Sequence, residues 1–475
     1  MAINTADWPY HLRIPIDYVP SSVTAGQVLT VTEATIEKMP LALQNLFWSK
    51  VKNGGGDLRV CENVDGSGQL PIEVVLCDTV SKKLIVWARL ASFDGSNVLY
   101  LFFKNDSASA LPVANTYGQY AVWQDFEAVY HFRAPDPLAD ATSNVRHLNS
   151  VGNATFNDGV VDSHNDFNNH LVATGYRGIT GEVDRTVTFL SNPTQNSHYG
   201  ITTWGASADA ERWSVYFNGG ALRTEIQGSF HYTNKWAGDG TFKRFTSILS
   251  GNIFPLNHRL RINGTEITDT RKGSDRTVDT NIGADVIVNG FDNFLGDQFG
   301  GEELKELWYR AEAISPSKDK VETTNQTNEP DFYGVPSVFY GSEEIRAFTG
   351  AVSLSTTTVG ESYKRSMLTA NASISASTAG SFLKRVSVKA VAKIKATVSG
   401  QATKKSQLNG RASIKASTHA TASKKSILSG VTAIKTFLTS RFYNKADNVE
   451  THTITIQGQL RESIEVKGFV NTNRN

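Results

Sequence analysis

GRASIKAST, residues 410–418, sets small or apolar residues (Gly410, Ala412, Ile414, Ala416) against polar ones (Arg411, Ser413, Lys415, Ser417) at every second position. A period of two is that of a β-strand with one face on a core and one in water. Close relatives of the segment recur at twenty-residue intervals: ANASISAST ends at Thr378, AVAKIKATV at Val398 and GVTAIKTFL at Leu438. Lys364-Arg365, Lys384-Arg385, Lys404-Lys405 and Lys424-Lys425 fall in the same frame, as do Leu368, Val388, Leu408 and Leu428. Ile374, Ile394, Ile414 and Ile434 also coincide, and a fainter unit with Phe348, Gly350 and Leu354 precedes them, so about five units are visible. Ala and Gly bury little surface. At roughly 25 cal/mol per Å² one such unit does not offset its chain entropy, so units must stack on copies of themselves. A β-solenoid and an intertwined trimeric stem both satisfy this.

The rest of the chain is also β-rich in composition. At 475 residues it is too long for a single core, and its net charge of +1 hides an uneven distribution. From Ser362 to Ala446 there are sixteen Lys or Arg and no Asp or Glu. The N-terminus lacks a basic stretch followed by an apolar one, and no window approaches the length of a transmembrane helix. A protein made in the cytoplasm without a secretory signal is expected. Cys61 and Cys77 are too few for a disulfide framework and read as small apolar residues in strands.

Residues 1–125 alternate strand-length apolar runs (YHLRIPIDY, DLRVCENV, LPIEVVL, KLIVWARL, NVLYLFFKN) with Gly- and Asp-bearing turns. They predict a small antiparallel β-sandwich. TIEKMPLALQNLFWSKVKNGG, with Leu43, Leu46, Phe47 and Val51 on one side, predicts a helix. DWPYHLRIPID, GGGDLRVCENVDGSGQLPIEVV, LIVWARLASFDGSNVLYLFFKNDSA and YGQYAVWQDFEAVYHF, taken in that order, resemble a small family of unknown function. Its members commonly stand before a concanavalin A-like (LamG-type) jelly roll in bacteriophage tail and surface-recognition proteins. The likeness covers most of residues 7–132.

Residues 126–335 carry the features such a jelly roll would have. AVYHF, Ala128 to Phe132, would open it, and HRLRINGTEI would form a hairpin turning at Asn263-Gly264. The stretch from Asn281 onward is similar to the closing signature, with a short helix capped by Ser315, Pro316 in its first turn and Asp319 near its positive end. NQTNEPDFYGVP, polar and with two prolines, reads as a linker. The expected architecture is all-β: sandwich at 1–125, jelly roll at 126–335, basic repeats at 336–446 and a β tail at 447–475.

Nucleophile-elbow, phosphate-loop and zinc motifs are absent, and the carboxylate-rich strand of glycosidases is not found. Glu302, Glu303 and Glu306 in EELKEL read as structural. No enzymatic activity and no cofactor are expected. Sugar binding requires aromatic faces and polar side chains that hydrogen-bond hydroxyls. FHYTNKWAGDG, Phe230 to Gly240, offers His231, Tyr232, Asn234, Trp236 and Asp239 in an expected loop, whereas Trp204 and Trp213 interrupt strand-like runs and read as core. Asp162, Asn165 and Asp166 are the best oxygen cluster for a metal, and a weak one. Lys384, Arg385, Lys404, Lys405, Lys424 and Lys425 are candidates for contact with an anionic partner, or form a solvated face that protects β-edges. Nucleic acid is disfavoured, because the repeats lack aromatics for stacking bases.

The order of parts and the family resemblance lead us to expect a bacteriophage virion protein. The first reading is a tail fibre or receptor-binding protein, homotrimeric, whose jelly roll touches host polysaccharide or lipopolysaccharide. A head-decoration or baseplate component among other virion subunits is the alternative, and a glycan-cleaving virion enzyme the third.

Overall fold

A computed structural model describes residues 3–152, 154–162, 170–193, 199–206, 211–226, 229–233, 241–267, 269–280, 283–290 and 303–349. Beyond these it describes the backbone of strands between 352 and 467. The chain is all-β with short helices, as the alternation predicts.

The N-terminal strands pair antiparallel. Thr24–Thr32, Lys83–Phe93 and Ile72–Asp78 form one sheet, and Arg59–Cys61, Val98–Phe103 and Tyr10–Pro15 begin the other. Leu12, Ile14, Leu29, Val86, Leu101 and Phe103 close the core between them. The predicted helix is two, Glu33–Glu37 and Leu41–Trp48, separated where Pro40 removes a backbone donor. Leu43, Phe47 and Val51 are buried as expected.

In the jelly roll, one sheet runs His258–Ile262, Lys243–Leu249, Arg185–Ser191 and Leu304–Arg310, with Ala128–Tyr130 also paired to Leu304–Arg310. The facing sheet runs Asp269–Lys272, Ser229–Thr233, Ala221–Ile226, Arg212–Asn218, Tyr199–Gly205 and Ala284–Val288 before two further strands. Val187, Phe189 and Phe245 from one sheet meet Trp213, Val215, Phe217 and Leu222 from the other. The hairpin turns at Asn263 and Gly264, whose φ values of 50° and 70° are those a type I′ turn demands.

The expected linker is a correction. Residues 325–336 are packed. Helix Pro316–Thr327, capped by Ser315, runs into Glu329–Phe332 and then strand Ser337–Tyr340. The helix binds two parts of the protein at once. Toward the jelly roll, Arg244 donates to Asp319 and, at 2.6 Å, to Glu322, and Arg310 donates to Glu322 at 2.6 Å. Toward the sandwich, Asn325 accepts from the Thr30 amide at 2.6 Å and donates to the Thr30 carbonyl at 3.0 Å, while Glu329 accepts from the Thr32 amide at 2.7 Å. These groups are buried or nearly so, and paired polar side chains replace the apolar contacts a helix interface ordinarily uses.

Strand Ser337–Tyr340 then pairs with Tyr10–Pro15 on one side and Glu343–Thr349 on the other, so the sandwich sheet continues without a break into the repeats. Of the two stem architectures, the backbone adopts the solenoid. Glu343–Thr349, Ser362–Thr369, Phe382–Val388, Ala402–Asn409 and Ala422–Ser429 stack in parallel. Val352–Val359, Ala372–Ala379, Ala392–Ser399, Ala412–Thr418 and Thr432–Ile434 form a second parallel sheet. Across these strands each paired residue meets the one twenty positions on, as in Arg365↔Arg385 and Ile394↔Ile414. From the C-terminal tail, Ile464–Lys467 pairs antiparallel with Ala422–Ser429.

Candidate functional site

The expected sugar-binding loop begins as a strand. Ser229–Thr233 lies between Ala221–Ile226 and the edge strand Asp269–Lys272, so its residues face alternate sides. His231 therefore points into the core, with no exposed surface, and is not in a loop. Its Nδ1 lies 2.6 Å from His258 Nδ1, and His258 Nε2 lies 2.9 Å from Ser247 Oγ, which in turn meets Thr224 Oγ1 at 2.8 Å. Burial, then the neighbouring charge of His231, hold His258 well below the usual imidazole range, so the His258 ring is neutral there. Trp204 and Trp213 are core residues as expected, stacked with ring centroids 6.1 Å apart.

Tyr232 faces the other way, and the strand register builds a site around it. Tyr216, Arg223, Tyr232 and Thr270 form one cross-strand row on the outer face of the sheet. Ser214, Glu225, Phe230 and Lys272 form the next. The Arg223 guanidinium lies 5.1 Å from the Phe230 ring, 5.3 Å from Tyr232 and 5.6 Å from Tyr216. Lys272 Nζ lies 5.6 Å from the Tyr232 ring. Phe230, Tyr232 and Arg223 are half-buried, and Lys272 is exposed. The rings of Phe230 and Tyr232 are tilted by 47° at 6.5 Å, a shallow notch rather than a stack.

The inner rim of this patch is fixed by ionic contacts. Glu225 accepts from Arg212 at 2.9 Å and from the Tyr216 hydroxyl, and Arg223 donates a long 3.4 Å bond to the same hydroxyl. Burial and the Glu225 charge push the Tyr216 phenol above its ordinary range, keeping it a donor. The result is a cation held over aromatic faces, which can stack a sugar's C–H face and donate to its hydroxyls or carboxylate.

Asn234, Trp236 and Asp239 lie outside the described residues, as do Asn165 and Asp166. Asp162 ends strand Val160–Asp162, opposite Thr155. Among the described residues no group of three His, Cys, Asp or Glu is arranged to hold a metal. Lys384, Arg385, Lys404, Lys405, Lys424 and Lys425 occupy solenoid strands. The sequence reading missed Arg223, Phe230 and Lys272, since only the pairing of three strands brings them beside Tyr232. A second concavity, a cleft of about 620 Å³, is lined by Arg89, Asp125, Glu312 and Lys318 among others. Its charges are matched in pairs, Arg89 with Asp125 at 2.5 Å and Lys318 with Glu312 at 2.9 Å.

No protein-family model matches the chain, and no curated protein matches its sequence. Among solved structures it is similar to the binding domain of botulinum neurotoxin serotype G, at 12% identity, TM-score 0.33, 43% of this chain and 51% of that one. It is similar to the binding domain of Paraclostridial Mosquitocidal Protein 1, at 14% identity, TM-score 0.31, 43% of this chain and 53% of that one. It is also similar to domain 4 of AbnA, an extracellular arabinanase of Geobacillus stearothermophilus solved with arabinotriose, at 16% identity, TM-score 0.29, 41% of this chain and 97% of that one. The chain spans about half the length of the two toxin structures. Likeness at this level assigns neither ligand nor activity.

Proposed function

We propose that the protein is a surface-recognition component of a bacteriophage particle, a tail fibre or receptor-binding protein, whose jelly roll binds a saccharide on the host. The observation that carries the binding reading is Arg223, whose guanidinium lies within 5.6 Å of three aromatic rings, those of Phe230 and Tyr232 half-buried and that of Tyr216 buried behind them. Such a face suits a sugar, and the cations of Arg223 and Lys272 favour one bearing a carboxylate or other acid. The phage assignment is supported by the resemblance of residues 7–132 and by the order of sandwich, jelly roll and repeats. In this reading the packed helix Pro316–Thr327 ties the jelly roll to the sandwich, whose sheet continues into the solenoid.

The test is binding of the full-length protein to a panel of acidic and neutral oligosaccharides and to host cells, beside Arg223→Ala and Tyr232→Ala variants. Saturable binding that either substitution weakens at least about tenfold, with unchanged melting temperature, is the expected result. Binding equal in all three proteins, or none by the parent, would remove the saccharide site and leave a structural role on the particle.

A further inference from the structure

The solenoid register places like charges directly above one another. Lys364, Lys384, Lys404 and Lys424 pair rung upon rung in one sheet. Arg365, Arg385, Lys405 and Lys425 do so at the adjacent position. In the second sheet Lys395 pairs with Lys415, one position after the register row of Ile374, Ile394, Ile414 and Ile434. Neighbouring strands are about 4.8 Å apart, so each column repeats a basic residue at that interval along the stem.

Protection of a sheet edge does not explain the columns. Lys384, Arg385, Lys404 and Lys405 sit on interior strands, each paired on both sides. Like charges placed directly opposite across strands oppose the fold, and no acidic residue between Ser362 and Ala446 offsets them. A surface that carries this cost along its length is one to be neutralised by a partner of the same linear form.

We infer that the solenoid is a binding track for a linear acidic polysaccharide, the polymer lying along the stem axis with its anionic groups on the lysine and arginine columns. Such a chain advances by one pyranose ring per residue, a step close to the rung spacing, so acidic groups that face the stem recur at whole numbers of rungs. Binding releases the small counterions held by the columns, which makes the affinity steeply salt-dependent. Nucleic acid fits the columns less well, since its charge interval of about 3.4 Å per strand is shorter and the columns carry no aromatic residues to stack bases. This inference concerns the stem and is independent of the saccharide site on the jelly roll.

The experiment uses the full-length protein with fluorescently labelled heparin and polygalacturonate, with neutral dextran and single-stranded and duplex DNA as further arms. Two triple variants, Lys384→Gln/Lys404→Gln/Lys424→Gln and Arg385→Gln/Lys405→Gln/Lys425→Gln, separate the columns, and the corresponding Lys→Arg variant of the first keeps its charge. The expected result is binding to both acidic polysaccharides and not to dextran, weakening at least about tenfold between about 50 and 200 mM salt. At least one glutamine triple loses tenfold or more while the arginine triple does not. Heparin should also raise the melting temperature of the parent, a readout that holds even if a glutamine triple folds poorly. No binding at the lower salt, no stabilisation by heparin, or tighter binding to DNA than to either polysaccharide would each overturn the inference.

Discussion

Glu306 reaches His131 through a β-bulge. The register between Arg185–Ser191 and Leu304–Arg310 shifts at Phe189/Leu190, Glu306 takes a φ of 45°, and its Oε2 comes to 2.6 Å from His131 Nδ1. Glu73 of the sandwich lies 3.1 Å from the other ring nitrogen, Trp87 and Trp123 pack against the imidazole, and Trp308 donates to Glu306 at 3.2 Å. A histidine of the jelly roll is thus held between carboxylates from two parts of the protein.

This clamp has a definite pH dependence. Burial alone would lower the His131 pKa, but the Glu306 and Glu73 charges outweigh it and raise it to about 10. A pKa raised on folding gives stability that is complete below the unfolded value of about 6.5 and lost as pH rises through the folded one. The melting-temperature gap between the parent and His131→Gln should therefore narrow steadily from pH 7 to pH 10. A gap independent of pH over that range would show that His131 is not held charged.

Arg244→Met should be among the most damaging substitutions in the jelly roll. It takes one cationic partner from both Asp319 and Glu322, which have no exposed surface, leaving Glu322 to Arg310 and Asp319 to Thr246 and the more distant Arg261, and the expected loss is about 3–5 kcal/mol in urea unfolding. Lys83→Gln, which breaks the exposed pair with Glu33, should cost at most about 1 kcal/mol. Equal costs for the two would contradict a buried network.

On the outer face, Arg223→Lys tests geometry separately from charge. Lysine keeps the cation but loses the planar group that lies over three rings, so saccharide affinity should fall about threefold to tenfold. An unchanged affinity would mean that only the charge matters.

Cys61 and Cys77 are buried and unpaired with one another, and burial pushes each thiol up to about 12. A thiol reagent at pH 8 should label neither in the native protein and both in urea. Rapid native labelling would place them at the surface.

Much of this fold was legible because its strands obey simple periods: the twenty-residue frame, the alternating N-terminal runs, the Asn263-Gly264 turn and the Ser315 cap all appear where the sequence puts them. The helix behind that cap was read too short, and residues 325–336 as a linker, because the buried side of the helix is polar. Lys318, Asp319, Glu322, Thr323 and Asn325 are buried by pairing rather than by apolar contact, and no hydrophobic periodicity marks them. The site was half legible. Tyr232 announces itself beside Gly and Asn, but Arg223 becomes its neighbour only through cross-strand register, and His231 was misplaced because adjacent residues of a strand look in opposite directions.

The unbroken sheet from Tyr10–Pro15 through Ser337–Tyr340 into the repeats has a consequence for inheritance. Because every unit pairs with the next at the same offset, gain or loss of one whole unit leaves all the remaining pairings unchanged. It alters only the length of the stem, by about 4.8 Å. Insertions of any other size would slide side chains out of their columns. The chain is therefore free to vary in length only in whole steps, with its jelly roll and its tail carried along unaltered.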